Sequence, residues 1–314
     1  DGFNEASWKV VKPIVEAVGS TSKKAVDQLL KPFKKSFPHD NEQAMVRIGS
    51  GLSDQENQFL TKRKPTIQRG LSTLLGRNVT EANLPTIGLC ISGGGYRAML
   101  AGTAFLTAAD NIKLLDSSTY IAALSGSTWG LTSWLVSGQP LSAWLEQIKL
   151  VVSSDNNPFD KVTETEWKTV SNELLTKVSF GEKVDPIDFW GGHIGAKVLA
   201  SLGNTEGFKF SSVQPRVERA DIPLPICTAV SDNITARLTD YQWFEITPHE
   251  IGSTYLKAWI PTWALGRDFE NGKSTNAVPE QSLSYFMGVF GAALSVGLAD
   301  ILERVPLQND PISN

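Results

Sequence analysis

Two short apolar runs, each closing in a turn of small residues that opens a helical stretch, constrain this chain more than any other feature. Pro85 to Ser92 is apolar and bounded by proline and glycine; Gly93-Gly94-Gly95 follows, and Arg97 to Ala109 is rich in Ala, Leu and Met. Tyr120 to Leu124 repeats the pattern, with Ser125-Gly126-Ser127 as its turn and a second helical start from Thr128 to Leu135. Strand, turn, helix, strand, turn, helix is the order of a parallel α/β unit, because adjacent parallel strands need a crossover between them. Both turns then fall at the carboxyl ends of strands, where open sheets build their sites.

The flanking sequence extends this unit. Ile222 to Val230 reads as another buried strand and Tyr241 to Thr247 as one more. Residues 140–220 are more polar and helical, with Pro and Gly breaks near Val184 to Gly192, which suits a helical insertion serving as a lid or cap. Residues 52–76 read as a long helix: Ser53 and Glu56 form a capping box, Phe59, Ile67, Leu71, Leu74 and Leu75 share one face, and Gly76 ends it. Upstream, Val26, Leu29, Leu30, Phe33 and Phe37 recur at helical spacing among Lys23, Lys24, Lys31, Lys34 and Lys35, with Pro32 set to kink or end the helix. Such a helix lies on a membrane surface or docks on its own domain with a solvated lysine face. The expected fold is α/β: a central mixed, mostly parallel sheet flanked by helices, with the helical insertion at about 140–220. A helical arm over residues 1–50 precedes one domain over 51–314.

Composition removes several classes. A formal net charge of -4 over 314 residues gives no whole-molecule attraction to nucleic acid, and none is expected as a partner. Cys90 and Cys227 are the only cysteines, with no metal-ligand spacing around either, so neither a disulfide framework nor a metal site is expected. Cys90, inside an apolar run, is expected to be buried and inert. No apolar run reaches the roughly 20 residues that a membrane span needs. Nine Trp residues supply core and suit a lipid–water boundary.

The two turns point to acyl transfer. Ser125, on a tight strand-to-helix turn, is placed as a nucleophile, although Ala123 and Ser127 stand where a G-x-S-x-G elbow has glycines. A serine there also serves simply as a helix cap. Gly93-Gly94-Gly95 frees backbone amides for an oxyanion, and Arg97, near the first turn of the next helix, can hold negative charge or phosphate. The spacing Gly93-x-Gly95-x-x-Ala98 also fits a dinucleotide fingerprint, with Asp110 or Asp116 as the ribose acid. That acid should close a second strand, and Asn111 to Asp116 is a poor strand. His39, His193 and His249 are the only histidines. His249 follows a strand and could complete a triad, yet their scarcity fits a Ser–Asp dyad better.

These segments resemble the catalytic domain of the cytosolic phospholipase A2 and fungal phospholipase B family, related more distantly to patatin. Ser92 to Met99 is similar to its oxyanion and arginine motif, and Leu124 to Trp129 to its nucleophile motif, with Ala123 in place of the family glycine. Leu52 to Lys64, Trp243 to Gly252 and Phe286 to Gly291 are similar to further family segments. The resemblance implies Ser125 as nucleophile, Gly94 and Gly95 as oxyanion amides, and Arg97 as phosphate or oxyanion ligand. It implies hydrolysis of phospholipid or lysophospholipid acyl esters at a membrane surface, peripherally and in the cytoplasm, with no cofactor. The family's calcium-dependent lipid-targeting domain would need more residues than the first fifty, so neither it nor a calcium requirement is expected. The family's Asp, in a D-G or D-S setting, has no counterpart; Asp300 and Asp310 stand in unlike settings. The expectation is a domain lacking its C-terminal part, with the dyad Asp on another segment or chain. The alternative is a catalytically incomplete lipid-binding protein of the same fold.

Overall fold

The computed structural model describes residues 30–153, 163–203, 207–231 and 242–292. The first half of the lysine-rich stretch at 22–37, residues 22–29, together with Asp300 and Asp310, lies outside them. What is described of that stretch docks on the protein itself: Leu30 and Phe33 pack against Val170, Leu174 and Leu175, and the Phe37 ring meets Phe180 edge-on at 5.2 Å.

The first long helix, α1 (Asp54–Leu75), begins where Ser53 accepts from the Glu56 N–H at 3.2 Å and ends at Gly76 in the left-handed conformation. The expected capping box is half made. The Glu56 carboxylate accepts instead from the Tyr120 hydroxyl at 2.7 Å, tying α1 to the sheet. Arg63, fully buried, fastens the same helix by donating to the carbonyls of Ser118, Ala220, Leu115 and Asp116. Burial pushes its guanidinium down to about 10. It thereby holds together the two loops that lead into the strands bearing and flanking the serine turn.

Among the described residues, seven strands form one sheet: β1 (Arg47–Ile48), β2 (Gly88–Ile91), β3 (Tyr120–Leu124), β4 (Leu224–Ser231), β5 (Gln242–Ile246), β6 (Glu250–Ser253) and β7 (Ala258–Pro261), in the order β1-β7-β6-β5-β4-β3-β2. The mixed α/β sheet is as expected, but among the described residues it is not mostly parallel. Only β2–β3 and β3–β4 are parallel; the four pairings from β4 to β1 are antiparallel. Between β5 and β7 the chain reverses twice through connections of a few residues, and short reversals permit only antiparallel neighbours. The arm expected over residues 1–50 ends inside this sheet, where Arg47 pairs with Trp259.

Helix α2 (Gly95–Asn111) crosses from β2 to β3, and α3 (Gly126–Ser137) follows β3. The insertion before β4 contains α4 (Leu141–Val152), α5 (Glu164–Ser179), α6 (Pro186–Val198) and α7 (Gln214–Glu218). It is packed into the main core: Trp144, Ile148, Ile194, Val198 and Val217 belong to one buried cluster with Ile121 of β3 and Leu106 of α2. The last described helix, α8 (Leu283–Phe290), joins that cluster through Phe286 and Met287. Among the tryptophans whose burial is described, more serve this core than face outward. Trp129, Trp134, Trp144 and Trp259 are buried, and the exposed Trp243 lies on β5, not on the insertion.

Cys90 departs from expectation by being exposed. The reason is topological: β2 is an edge strand, and successive side chains alternate faces. Leu89 points into the core, whereas Gly88 and Cys90 face outward.

Candidate active site

The serine turn emerges at the carboxyl end of β3. Ser125 has φ 54° and ψ -130°, outside the regions that a non-glycine residue adopts freely. Holding it there costs on the order of 1–3 kcal/mol, and the neighbours that meet the cost are visible. Its carbonyl accepts from the Thr128 N–H at 2.9 Å and from the Thr128 hydroxyl. The carbonyl of Ala123, just before the turn, accepts from Thr228 Oγ1 of β4 at 2.9 Å. Ser125 stands at the N-cap position of α3 but makes no side-chain capping bond, and no described side chain hydrogen-bonds its hydroxyl. The helix-cap reading therefore fails, and the hydroxyl remains available for chemistry.

The glycine turn lies directly across. A β-carbon on Gly93 would come within 2.8 Å of Ser125 Cβ. Gly94 (φ 140°) and Gly95 (φ 60°) both take positive φ, which only glycine adopts without strain in succession. Gly94 caps α2 and Gly95 begins it, so their N–H groups have no intrahelical acceptor. Helices α2 and α3 bring their N-termini together here, with Gly126 against the Gly95 carbonyl. Two positive helix ends thus converge where an ester oxygen would gain charge.

Arg97 is exposed in the first turn of α2 and lines an open groove of about 540 Å³ with Ser92, Gly93, Gly94, Ala98 and Phe105. Among the described residues it forms no ion pair, so its guanidinium faces the groove without a protein anion. The structure brings all four expected site residues, Ser125, Gly94, Gly95 and Arg97, to one end of the sheet.

The histidines do not complete a triad. Because β5 runs antiparallel to β4, the turn carrying His249 sits at the end of the sheet opposite Ser125. Burial lowers its pKa, and its Nε2 is buried without a partner. His39 stacks on Trp263 with ring centroids 4.5 Å apart. His193 stacks loosely on Trp190 at 6.4 Å. The dinucleotide reading fails by position as well: Asp110 lies inside α2 and Asp116 in the following turn, and neither ends a strand. Among the described residues no group of three His, Cys, Asp or Glu could hold a metal ion.

Sequence reasoning passed over several residues that shape the site. Trp129 Nε1 donates to the Met287 carbonyl at 2.8 Å, anchoring α3 to α8. The Trp129 ring also meets Tyr96 at 5.3 Å, so the first turns of α2 and α3 share one aromatic contact. Ser127 had a visible signal: it is a hydroxyl residue at a place where an elbow ordinarily has glycine.

The model of the lysophospholipase catalytic domain matches residues 87–313. Cytosolic phospholipase A2 gamma of Mus musculus is 32% identical over 257 residues, covering 80% of this chain and 40% of that protein. Cytosolic phospholipase A2 zeta of Homo sapiens is 29% identical over 269 residues, covering 82% and 31%. The structure of human GIVD cytosolic phospholipase A2 superposes with a TM-score of 0.73 at 25% identity, over 87% of this chain and 36% of that one. A structure of the same human protein in complex with methyl gamma-linolenyl fluorophosphonate gives 0.67 at 23% identity, over 79% and 35%. The chain thus spans less than half the length of these relatives.

Proposed function

The chain belongs to the lysophospholipase catalytic-domain family, and from that premise we propose that it is a serine hydrolase of fatty-acyl esters in glycerophospholipids or lysophospholipids. The observation that carries this reading is the uncapped Ser125 hydroxyl on its strained turn, beside two converging helix N-termini. Ser125 Oγ attacks the ester carbonyl carbon, and the oxygen that gains the electron pair is held by the Gly94 and Gly95 N–H groups. Collapse releases the glycerol-side alcohol and leaves an acyl-serine, which water then hydrolyses. Arg97 holds the substrate phosphate or the developing oxyanion at the groove mouth.

The proton of Ser125 needs a base. In this reading it is an Asp carboxylate on a segment or chain outside the described residues, completing a Ser–Asp dyad. The substrate class is supported by relatives named phospholipases A2 and by the lipid fluorophosphonate held by one of them. Their description as cytosolic supports a cytoplasmic setting, with peripheral contact at the lipid surface. Among the described residues no helix is long and apolar enough to cross a membrane.

One observation favours a second reading, a lipid-binding protein without catalysis: no described carboxylate hydrogen-bonds Ser125. A fluorophosphonate probe decides between them by intact mass and peptide mapping of the parent and Ser125→Ala. A single adduct on Ser125, absent in the variant, is expected. A parent that stays unlabelled removes the hydrolase reading for this chain and favours the lipid-binding one.

A further inference from the structure

The register between β2 and β3 runs from Gly88 against Tyr120 to Ile91 against Ala123, and stops there. One residue further on, the two strands lead into the glycine turn and the serine turn, which stay close: a β-carbon on Gly93 would come within 2.8 Å of Ser125 Cβ. The Ser127 side chain sits where the ladder ends. Its Oγ accepts from the Leu124 N–H at 3.0 Å and lies within donating distance of two carbonyls, Leu124 at 2.8 Å and Ile91 at 3.1 Å, which share its single proton. The residue is 2% exposed, so these bonds form away from solvent, where an unmet backbone group is costly.

We propose that the Ser127 hydroxyl is a positioning group that fixes the distance between the amide-bearing glycine turn and the Ser125 nucleophile. Ile91 lies two residues before Gly93, and Leu124 directly precedes Ser125. A hydroxyl that bonds both residues sets how far the strand ends part. An unbridged end would let the two turns drift from this close approach. Helix α2 presses on the same place, since a β-carbon on Gly102 would lie 3.0 Å from Ile91 Cγ2 and 3.4 Å from Ser127 Cβ. Ser127 touches no substrate in this account; it acts through the two turns. The inference rests on the hydrolase reading for its consequence in rate, but its geometric content does not.

The test has two independent readouts on the full chain. The first is fluorophosphonate labelling of the parent, Ser127→Ala and Ser127→Thr. A displacement of about 1 Å at such a site costs up to about 100-fold, so Ser127→Ala is expected to lower the maximal labelling rate about 10- to 100-fold. The probe concentration giving half the maximal rate should be unchanged, and Ser127→Thr, which keeps the hydroxyl, should recover most of the rate. The second is hydrogen–deuterium exchange of the peptide covering residues 91–98. Faster exchange is expected there in Ser127→Ala, with exchange in α1 and β5 unchanged. A parental labelling rate in Ser127→Ala, or unchanged exchange at 91–98, overturns the proposal. Should Ser127→Ala not fold, Ser127→Cys keeps the size with a weaker donor; parental values in both readouts would again overturn it. An unlabelled parent removes the hydrolase reading alone, because the exchange comparison still decides the clamp.

Discussion

Gly126 and Gly95 meet backbone to backbone: the Cα of Gly126 faces the Gly95 carbonyl so closely that there is no room for a β-carbon. This contact brings the start of α3 against the start of α2, and with it the nucleophile against the oxyanion amides. A methyl group at position 126 must force the helix ends apart, since neither neighbour is a flexible side chain. Gly126→Ala is expected to destabilise the chain by roughly 1–3 kcal/mol, the usual cost of overpacking. It should also abolish fluorophosphonate labelling of Ser125. A thermal melt together with intact-mass labelling checks this, and parental values in both would refute the contact.

Trp129 carries a second dependence. Its indole N–H donates to the Met287 carbonyl in a fully buried setting. Trp129→Phe retains most of the ring volume but leaves that carbonyl unmet. The expected loss is about 1–3 kcal/mol, measured by urea unfolding. A change below about 0.5 kcal/mol would mean that α8 is held by apolar packing alone.

The insertion should give the chain a pH dependence of definite sign. Burial pushes the Glu182 carboxyl up to about 7, although the Gln281 amide donates to it. An ordinary glutamate titrates near 4.3. Between these values the folded chain holds a proton that the unfolded chain has released, so stability falls as pH rises from about 4.5 to 7. Partial burial shifts Glu173 and Glu56 in the same direction. Glu182→Gln should therefore raise the urea midpoint at pH 8 and change it little at pH 4.5. An equal effect at both pH values would exclude the titration.

The cysteines offer the simplest check. Cys90 is exposed on the outer face of β2, whereas Cys227 is fully buried and burial pushes its thiol strongly upward. A thiol reagent should consume one equivalent in the native chain, mapping to Cys90, and a second only in denaturant. Two equivalents consumed natively would show that β4 opens on the time scale of the reaction.

How much of this was legible in the sequence varied with the range of the interactions. The order of β2, α2, β3 and α3 could be read because apolar runs, glycine turns and helical stretches are local patterns. The glycine and serine turns announced Gly94, Gly95, Arg97 and Ser125 for the same reason: their residue types are demanded by the backbone or by the chemistry at those positions. The long helix α1 declared both its ends through Ser53 and Gly76.

Short strands were harder. Arg47–Ile48 is too brief to carry a periodic signal, and it is a strand only because Trp259 lies beside it. The antiparallel half of the sheet, the exposure of Cys90 and the exclusion of His249 from the site all follow from strand order. Strand order is a matter of which distant segments pair, and no local pattern encodes it.

The sequence by itself determined the α/β unit, the two turns and the family, because each is written in adjacent residues whose types are fixed by φ, by apolar spacing or by reactivity. Only the tertiary structure decided that Ser125 is uncapped, that Arg63 binds the loops beneath it, and that Ser127 bridges Ile91 and Leu124. Each of those is a polar group meeting a partner that only folding brings into reach, and burial is what makes the meeting obligatory.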